Sequence, residues 1–127
     1  MELLESKNLP EAIGPYSQAT RANGFIYTSA QIPLTIDGKI VERDIKKQTR
    51  QVLENLKILL EDAKSGLDAV VKVNVYLENM DDFGVVNVLF AEAFGEHKPA
   101  RTTIEASRLP MGSMVVMDAI ASPKDFY

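Results

Sequence analysis

Residues 114–121, MVVMDAIA, are apolar at almost every position, and this run narrows the possible folds more than any other part of the sequence. A strand with one wet face alternates apolar and polar residues, whereas an unbroken apolar run of this length indicates a strand covered on both faces. Such a strand belongs in the interior of a sheet. The rest of the chain must therefore supply neighbouring strands on its two sides and layers that cover it.

Two segments have the spacing of helices that could supply this cover. The first begins after Asp44, a residue type favoured at helix N-caps, and Gly66 lies just past its end. Its apolar residues recur at helical spacing: Ile45, Val52, Leu53, Leu56, Leu59, Leu60 and Ala63. The second begins near Asn79 or Asp81 and ends before Pro99. Its apolar stripe consists of Phe83, Val86, Phe90 and Phe94.

Strand signals occur on both sides of the first helix. Asn23-Gly24, between residues 17–22 and 25–30, is the strongest two-residue signal for a β-hairpin, because both turn positions tolerate positive φ. Residues 71–77 alternate with period two, which predicts a strand with one strongly apolar face. The segment before Gly14-Pro15 is predicted to be irregular. The remaining predicted strands are residues 40–41 and 100–107.

The order of these elements is hairpin, short strand, helix, strand, helix, strand, strand. It predicts an α+β fold in which right-handed crossovers place both helices on one face of a single sheet. The opposite face is predicted to carry polar and apolar side chains together: Asn74, Tyr76, Arg101, Thr103, Met114 and Val116. This mixture is too apolar to remain fully wet, so we expect subunits to bury it.

Length and composition limit the function classes. A chain of 127 residues has the length of one domain, so residues 1–127 are predicted to form a single domain. The absence of cysteine removes disulfides, thiol nucleophiles and cysteine-ligated metals. A net charge of −4 supplies no general attraction to nucleic acid or to anionic membranes. With neither a signal-peptide pattern nor an apolar run of about 18 residues, the protein is expected to be cytoplasmic.

Few residues indicate chemistry by themselves. The single histidine, His97, has no second histidine to help bind a metal, and we interpret it as structural. The sequence contains neither a glycine-rich Rossmann fingerprint nor a P-loop. If the last two strands pair in the simplest register, Arg101, Glu105 and Asp118 share one face, which predicts a cross-strand salt bridge. Asn87 falls on the apolar stripe of the second helix, either as a hydrogen-bonded core amide or as a cleft residue.

Longer segments carry a recognisable pattern: IGPYSQA at 13–19, TSAQIPL at 28–34, QTRQVLENLK at 48–57, VYLENMDDFGVVN at 75–87, KPARTTIEASRLP at 98–110 and AIA at 119–121. In order and spacing, these segments resemble the reactive intermediate deaminase (Rid) family, also called the YjgF-like or L-PSP endoribonuclease-like family. The resemblance extends from Ile13 to Ala121. It implies a six-stranded mixed sheet with two helices packed on one face, in a chorismate-mutase-like arrangement, and a homotrimer with a ligand cleft at each subunit boundary.

The resemblance also implies an activity without a cofactor or metal: hydrolysis of reactive 2-imino acids, such as 2-iminopropanoate and 2-iminobutanoate, to 2-oxo acids and ammonia. Arg101 matches the family's carboxylate-binding arginine, and a planar guanidinium can hold a carboxylate through two parallel hydrogen bonds. Tyr16 and Ser29 match cleft hydroxyls. Thr103 matches the position whose backbone carbonyl reaches the imine nitrogen, and Asn87 matches the family's cleft asparagine.

One position departs from the family pattern. Counting from RLP at 108–110 to AIA at 119–121, the glutamate that activates water in deaminase members corresponds to Val116. Asp118 is predicted on the same face of the strand, about 6–7 Å away by strand rise. Two alternatives stay open, an imine deaminase impaired by the loss of this base and a non-catalytic small-carboxylate-binding or regulatory trimer. A third, a ribonuclease or translation inhibitor, is disfavoured by the acidic net charge and the single histidine.

Overall fold

A computed structural model describes residues 1–124 as one six-stranded sheet with two α-helices. The strands are β1 (Glu2–Leu4), β2 (Ala19–Ala22), β3 (Phe25–Thr28), β4 (Val70–Leu77), β5 (Ala100–Glu105) and β6 (Val115–Ala121). The helices are α1 (Ile45–Asp62) and α2 (Phe83–Phe94), and short 3₁₀ helices occupy Leu67–Ala69, Met80–Asp82 and Pro110–Gly112. In this described part of the chain, no helix combines the length and apolar character needed to span a membrane.

The strand order is β1-β2-β3-β6-β4-β5, and β4 and β5 form the one parallel pair of this sheet. Strand β6 therefore lies between β3 and β4, which confirms the interior position predicted from its apolar run. The predicted hairpin is also confirmed. Asn23 has φ 53° and Gly24 has φ 84°, and this left-handed pair joins β2 to β3 as a two-residue turn requires. The α+β prediction, with two helices on a six-stranded mixed sheet, is correct.

Two strand predictions are wrong. Residues 40–41 do not form a strand of the sheet, because Ile40 makes an isolated bridge to Leu34 instead. The sixth strand is β1, which lies in the segment predicted to be irregular and pairs antiparallel with β2. A strand of three residues is too short to show a sequence alternation, so its pairing with the hairpin defines it.

Helix α1 is bounded by two different caps. The Asp44 carboxylate accepts a hydrogen bond from the Lys47 backbone N–H at 2.9 Å, which is the predicted N-cap. At the other end, Lys64 has φ 67°, and the Ser65 N–H donates to a carbonyl one turn back at 2.8 Å. The left-handed residue that ends the helix is thus Lys64, whereas Gly66 has an extended φ of 174°.

Helix α2 begins later than predicted. The Asn79 side chain accepts a hydrogen bond from the backbone N–H two residues on, at 2.9 Å, and caps a 3₁₀ turn before the α-helix starts at Phe83. The helix ends at Phe94, followed by Gly95 with φ 63°. Its buried residues, which pack in the core between the helices and the sheet, are Val86, Leu89, Phe90 and Phe94.

The register of β4 and β5 determines which face each candidate residue occupies. Val73 pairs with Arg101 and Val75 with Thr103, and both valines belong to the core beneath the helices. Arg101 and Thr103 therefore lie on the helix-covered face, and their predicted place on the open face is wrong. In Ala100–Glu105 the more apolar set (Ala100, Thr102, Ile104) lies on the open face, so the alternation of the sequence predicts the opposite of the observed facing, which tertiary packing determines.

The open face of the sheet is apolar over much of its area. Asn74 pairs with Asp118 and Tyr76 with Val116, so Asn74, Tyr76 and Val116 lie on this face as predicted. Large apolar side chains that are exposed here are Leu3, Phe25, Tyr27 and Ile104. Nothing in residues 1–124 covers these side chains, and their burial by another subunit stays a prediction.

Candidate functional site

Arg101 lies on the edge strand β5 and faces helix α2. Its guanidinium carbon is 4.9 Å from the centre of the Phe90 ring and 5.4 Å from the centre of the Phe83 ring, within the range of cation–π attraction. The side chain is half-buried. Within residues 1–124 the guanidinium has no hydrogen-bond or salt-bridge partner. Its N–H donors are therefore available to an anionic ligand.

Asn87 lies on α2 between the two phenylalanines that contact Arg101. It follows Phe83 by four residues and precedes Phe90 by three, so all three lie on one side of the helix. The Asn87 side chain is exposed, so the core-amide interpretation is wrong and the cleft interpretation fits. Phe83 is 38% exposed and does not belong to the buried stripe predicted for it. Asn87 and Arg101 line one depression of about 430 Å³, with Phe90 and Pro99 among its walls.

Thr103 lies two residues beyond Arg101 on the same face and is half-buried. The Ala106 N–H donates to the Leu77 carbonyl at 2.8 Å, and in a parallel ladder alternate residues turn their backbone groups toward the neighbouring strand. Residues of the other parity, including Thr103, therefore turn their N–H and carbonyl groups to the free edge of β5. An edge carbonyl beside Arg101 can accept a hydrogen bond from an imine or from ammonia.

Tyr16 and Ser29 form a second group, near the end of β3 and several strands away from Arg101. The Ser29 hydroxyl donates to the Ser17 carbonyl at 2.6 Å, and its backbone N–H donates to the Gln18 carbonyl at 2.9 Å. The Tyr16 hydroxyl accepts a hydrogen bond from the Ile13 N–H at 3.4 Å, and the side chain is 46% exposed. Tyr16 and Ser29 line the same small pocket, beside the end of β3.

One chain does not bring the two groups into contact. Ser29 follows β3 and Arg101 belongs to β5, and strands β6 and β4 separate them. Three inter-strand spacings amount to about 14 Å. Arg101, Asn87 and Thr103 therefore form one half of a candidate site, and Tyr16 and Ser29 form the other.

The predicted salt bridge of Arg101 with Glu105 and Asp118 is wrong. Asp118 lies on the open face, opposite Arg101, and accepts a hydrogen bond from the Asn74 amide at 2.8 Å. Glu105 shares the face of Arg101, but its carboxylate accepts a hydrogen bond from the Met80 backbone N–H at 2.7 Å. Neither carboxylate neutralises the guanidinium.

Val116, which is predicted to occupy the position of the family's glutamate, is 3% exposed on the open face, where it pairs with Tyr76. The pKa of Tyr76 is raised, first because burial disfavours the phenolate and then because the Asp118 carboxylate lies close. The Asp118 carboxylate therefore disfavours a second negative charge on this part of the open face. A carboxylate introduced at Val116 would meet the same environment.

His97 lines the same depression as Arg101, but its ring is held by the backbone. Its Nε2 atom is 2.7 Å from the Val70 carbonyl, so the ring binds the backbone at the start of β4, as the structural interpretation holds. Among residues 1–124, no group of three or more His, Cys, Asp or Glu side chains could hold a metal ion.

The contact of Arg101 with two aromatic rings is not predicted by the sequence analysis. The sequence predicts a core stripe that contains Phe83 and Phe90, because their seven-residue spacing is typical of core packing. The available signal was Asn87, a polar residue between two aromatic residues on one side of the helix. It marks the side of α2 that borders the depression.

Known proteins share the sequence pattern and the fold of this chain. The model of the family described as Endoribonuclease L-PSP matches residues 6–122. The RutC family protein PH0854 of Pyrococcus horikoshii is 50% identical over 94% of this chain and 96% of its own length. The Rid family protein YyfA of Yersinia pestis has a solved structure with a TM-score of 0.93 at 45% identity, covering 95% of this chain and 98% of that one. The structure of E. coli TdcF with bound serine has a TM-score of 0.91 at 30% identity, covering 98% and 100%.

Proposed function

Because the chain belongs to the endoribonuclease L-PSP family, which includes the RutC and Rid proteins, we propose that it binds small 2-imino acids and hydrolyses them to 2-oxo acids and ammonia. The observation that carries the proposal is Arg101, a half-buried guanidinium that lacks an ionic partner within residues 1–124 and borders a depression. A guanidinium in this setting binds a carboxylate through two parallel hydrogen bonds. Serine, the molecule bound to TdcF, carries such a carboxylate.

The active unit in this proposal is a homotrimer. Two observations support it: the separation of the two half-sites within one chain, and the exposed apolar side chains of the open face. In a closed ring, Arg101 of one subunit can lie opposite Tyr16 and Ser29 of the next subunit. We expect this trimer to act in the cytoplasm.

The proposed reaction needs three functions from the cleft. Arg101 fixes the carboxylate, and the edge carbonyl of Thr103 accepts a hydrogen bond from the imine nitrogen or from departing ammonia. The hydroxyls of Tyr16 and Ser29 orient the imine carbon and a water molecule. Water adds to the C=N carbon, and loss of ammonia from the adduct leaves the 2-oxo acid. Val116 supplies no carboxylate at the position of the water-activating glutamate, so we expect slow turnover. A general base contributes typically about 10²- to 10⁴-fold to the rate, on the order of a few kcal/mol.

A second candidate is a binding or regulatory trimer that retains the carboxylate grip without turnover. The buried, apolar Val116 at the position of the water-activating glutamate is the observation that favours it. A ribonuclease ranks below both, because the net charge is −4 and the single histidine binds a backbone carbonyl.

Titration calorimetry with 2-oxobutanoate tests the carboxylate grip. We expect Arg101→Ala to lower the affinity at least about tenfold, because a charge-assisted hydrogen-bonded pair contributes about 1.5–3 kcal/mol. Arg50→Ala removes a guanidinium from the exposed side of α1 and is the matched control, with unchanged affinity. Equal affinities for Arg101→Ala and the parent protein would refute the site.

Ammonia release separates the two candidate functions. The substrate, 2-aminoacrylate, is generated in the assay from serine by a PLP-dependent dehydratase, and its uncatalysed decay is measured in parallel. The deaminase function is supported if the parent protein releases ammonia above this background and Arg101→Ala does not. Binding of 2-oxobutanoate with no release above background supports the binding module.

A further inference from the structure

Two aromatic rings on one side of α2 contact the guanidinium of Arg101. Phe83 and Phe90 are seven residues apart, almost two full helical turns, which is about 10.5 Å of rise along one side of α2. The guanidinium carbon lies 5.4 Å and 4.9 Å from the two ring centres. Both distances are within the range of cation–π attraction, so the two rings contact the same guanidinium.

The Arg101 side chain on the edge strand binds a ligand more tightly if neighbouring residues already restrict its rotamers. Arginine has many rotamers, and binding a carboxylate through two parallel hydrogen bonds confines the side chain to one of them. Carboxylates usually hold buried arginines in place, but Glu105 and Asp118 are both engaged with other groups. Ring faces attract the cation without occupying its N–H donors. The rings can therefore orient Arg101 and leave its donors for a ligand.

The exposure of Phe83 argues against a purely structural function for this ring. Phe90 is buried, stacks on Phe94 with ring centres 4.4 Å apart, and would be retained for core packing alone. Phe83 is 38% exposed and does not belong to the buried core, yet it still contacts the guanidinium. Asn87, between the two rings on the same side of the helix, adds an amide at the rim of the same depression.

We propose that Phe83 and Phe90 are positioning residues that hold the Arg101 guanidinium ready to bind the carboxylate of the substrate. The inference rests on the proposed function, because it assigns the rings a purpose through the carboxylate grip of Arg101. Neither ring needs to touch the substrate for this effect. Removing a ring face lowers affinity for every small carboxylate, whatever its side chain.

Calorimetry with 2-oxobutanoate on Phe83 variants tests the proposal, since this exposed position tolerates substitution without loss of the fold. Phe83→Leu keeps an apolar side chain and removes the ring, and the affinity should fall about three- to tenfold. Phe83→Tyr keeps the ring face, and its hydroxyl can reach solvent, so the affinity should stay within about twofold of the parent. Thermal unfolding and mass are measured for each variant and should match those of the parent.

The possible outcomes are distinguishable when Arg101→Ala is measured in the same series. Weak binding by Phe83→Leu with restored binding by Phe83→Tyr supports the positioning function. Parent-like binding by Phe83→Leu, or equal loss in both Phe83 variants, overturns it while Arg101→Ala still shows the grip. Parent-like binding by Arg101→Ala overturns the proposed function and this inference together.

Discussion

Asp62 fastens the N-terminal segment to the end of α1. Its carboxylate accepts hydrogen bonds from the Ser6 hydroxyl and, at 3.0 Å, from the Asn8 amide. These two bonds, Ser6 first, hold the pKa of Asp62 below its ordinary value of 3.8. A carboxyl group with a lowered folded-state pKa stabilises the fold above its unfolded pKa, and this stabilisation is lost as the pH falls through the folded pKa.

As the pH is lowered, the free energy of unfolding should therefore fall more steeply in the parent protein than in Asp62→Asn. The slopes of the two curves should differ from about pH 5 downward, where Asp62 becomes protonated, and at neutral pH the curves should run parallel at a constant separation. Urea unfolding at a series of pH values measures both curves. Parallel curves for the two proteins across this range would show that the hydrogen bonds to Asp62 do not affect the stability.

Val116 is predicted to stand where deaminase members of the family carry a water-activating glutamate. Val116→Glu should increase ammonia release about tenfold, because Arg101 still fixes the substrate and a carboxylate can accept a proton from water. The gain is smaller than a full general-base contribution, since burial beside Tyr76 raises the pKa of an introduced carboxyl group. Val116→Gln is the control with the same shape. Equal rates for the Glu and Gln variants would contradict general-base catalysis at this position.

At the scale of the elements, a residue with positive φ follows each of the two helices. Lys64 has φ 67°, a left-handed conformation that costs a residue with a Cβ atom roughly 1 kcal/mol. Gly95, after α2, has φ 63° and ψ −127°, a region that glycine alone adopts freely. A side chain at Gly95 would meet no atom within 4 Å, so its cost would arise from the backbone alone.

Lys64→Gly should therefore raise the free energy of unfolding by up to about 1 kcal/mol, and Gly95→Ala should lower it by about 1–3 kcal/mol. Denaturant midpoints at constant slope measure both changes. Lys57→Gly, in the middle of α1, is the matched control and should destabilise the protein. A loss of stability in Lys64→Gly would show that contacts of the lysine outweigh the strain.

The elements also differ in how well the sequence predicts them. Strong periodicity and turn chemistry predict the 23–24 hairpin, α1, β4 and the interior strand β6, because each pattern is local. The face occupied by Arg101 depends on the parallel register of β5, which tertiary packing sets against the facing that its polar alternation predicts. The motif match assigned Arg101, Tyr16 and Ser29, but their division into two half-sites follows from the strand order. Their functions in binding stay predictions.

At the scale of the whole molecule, the proposed cleft requires residues from neighbouring subunits. The open face exposes apolar side chains, and the half-sites of one chain lie about three strand spacings, or roughly 14 Å, apart. Light scattering should give a mass about three times the 14.1 kDa of one chain at micromolar concentration. A mass near that of one chain would remove the basis for a shared cleft.

Mixed trimers test the shared cleft most directly. Arg101→Ala lacks one half-site, and the double variant Tyr16→Phe/Ser29→Ala lacks the other, so neither should bind 2-oxobutanoate alone. When the two are co-expressed in equal amounts, an intact Arg101 half-site meets an intact partner half-site in about a quarter of the clefts. Calorimetry should then show about one binding site per four chains, at the affinity of the parent protein. No recovery of binding in mixed trimers would contradict a cleft built from two subunits.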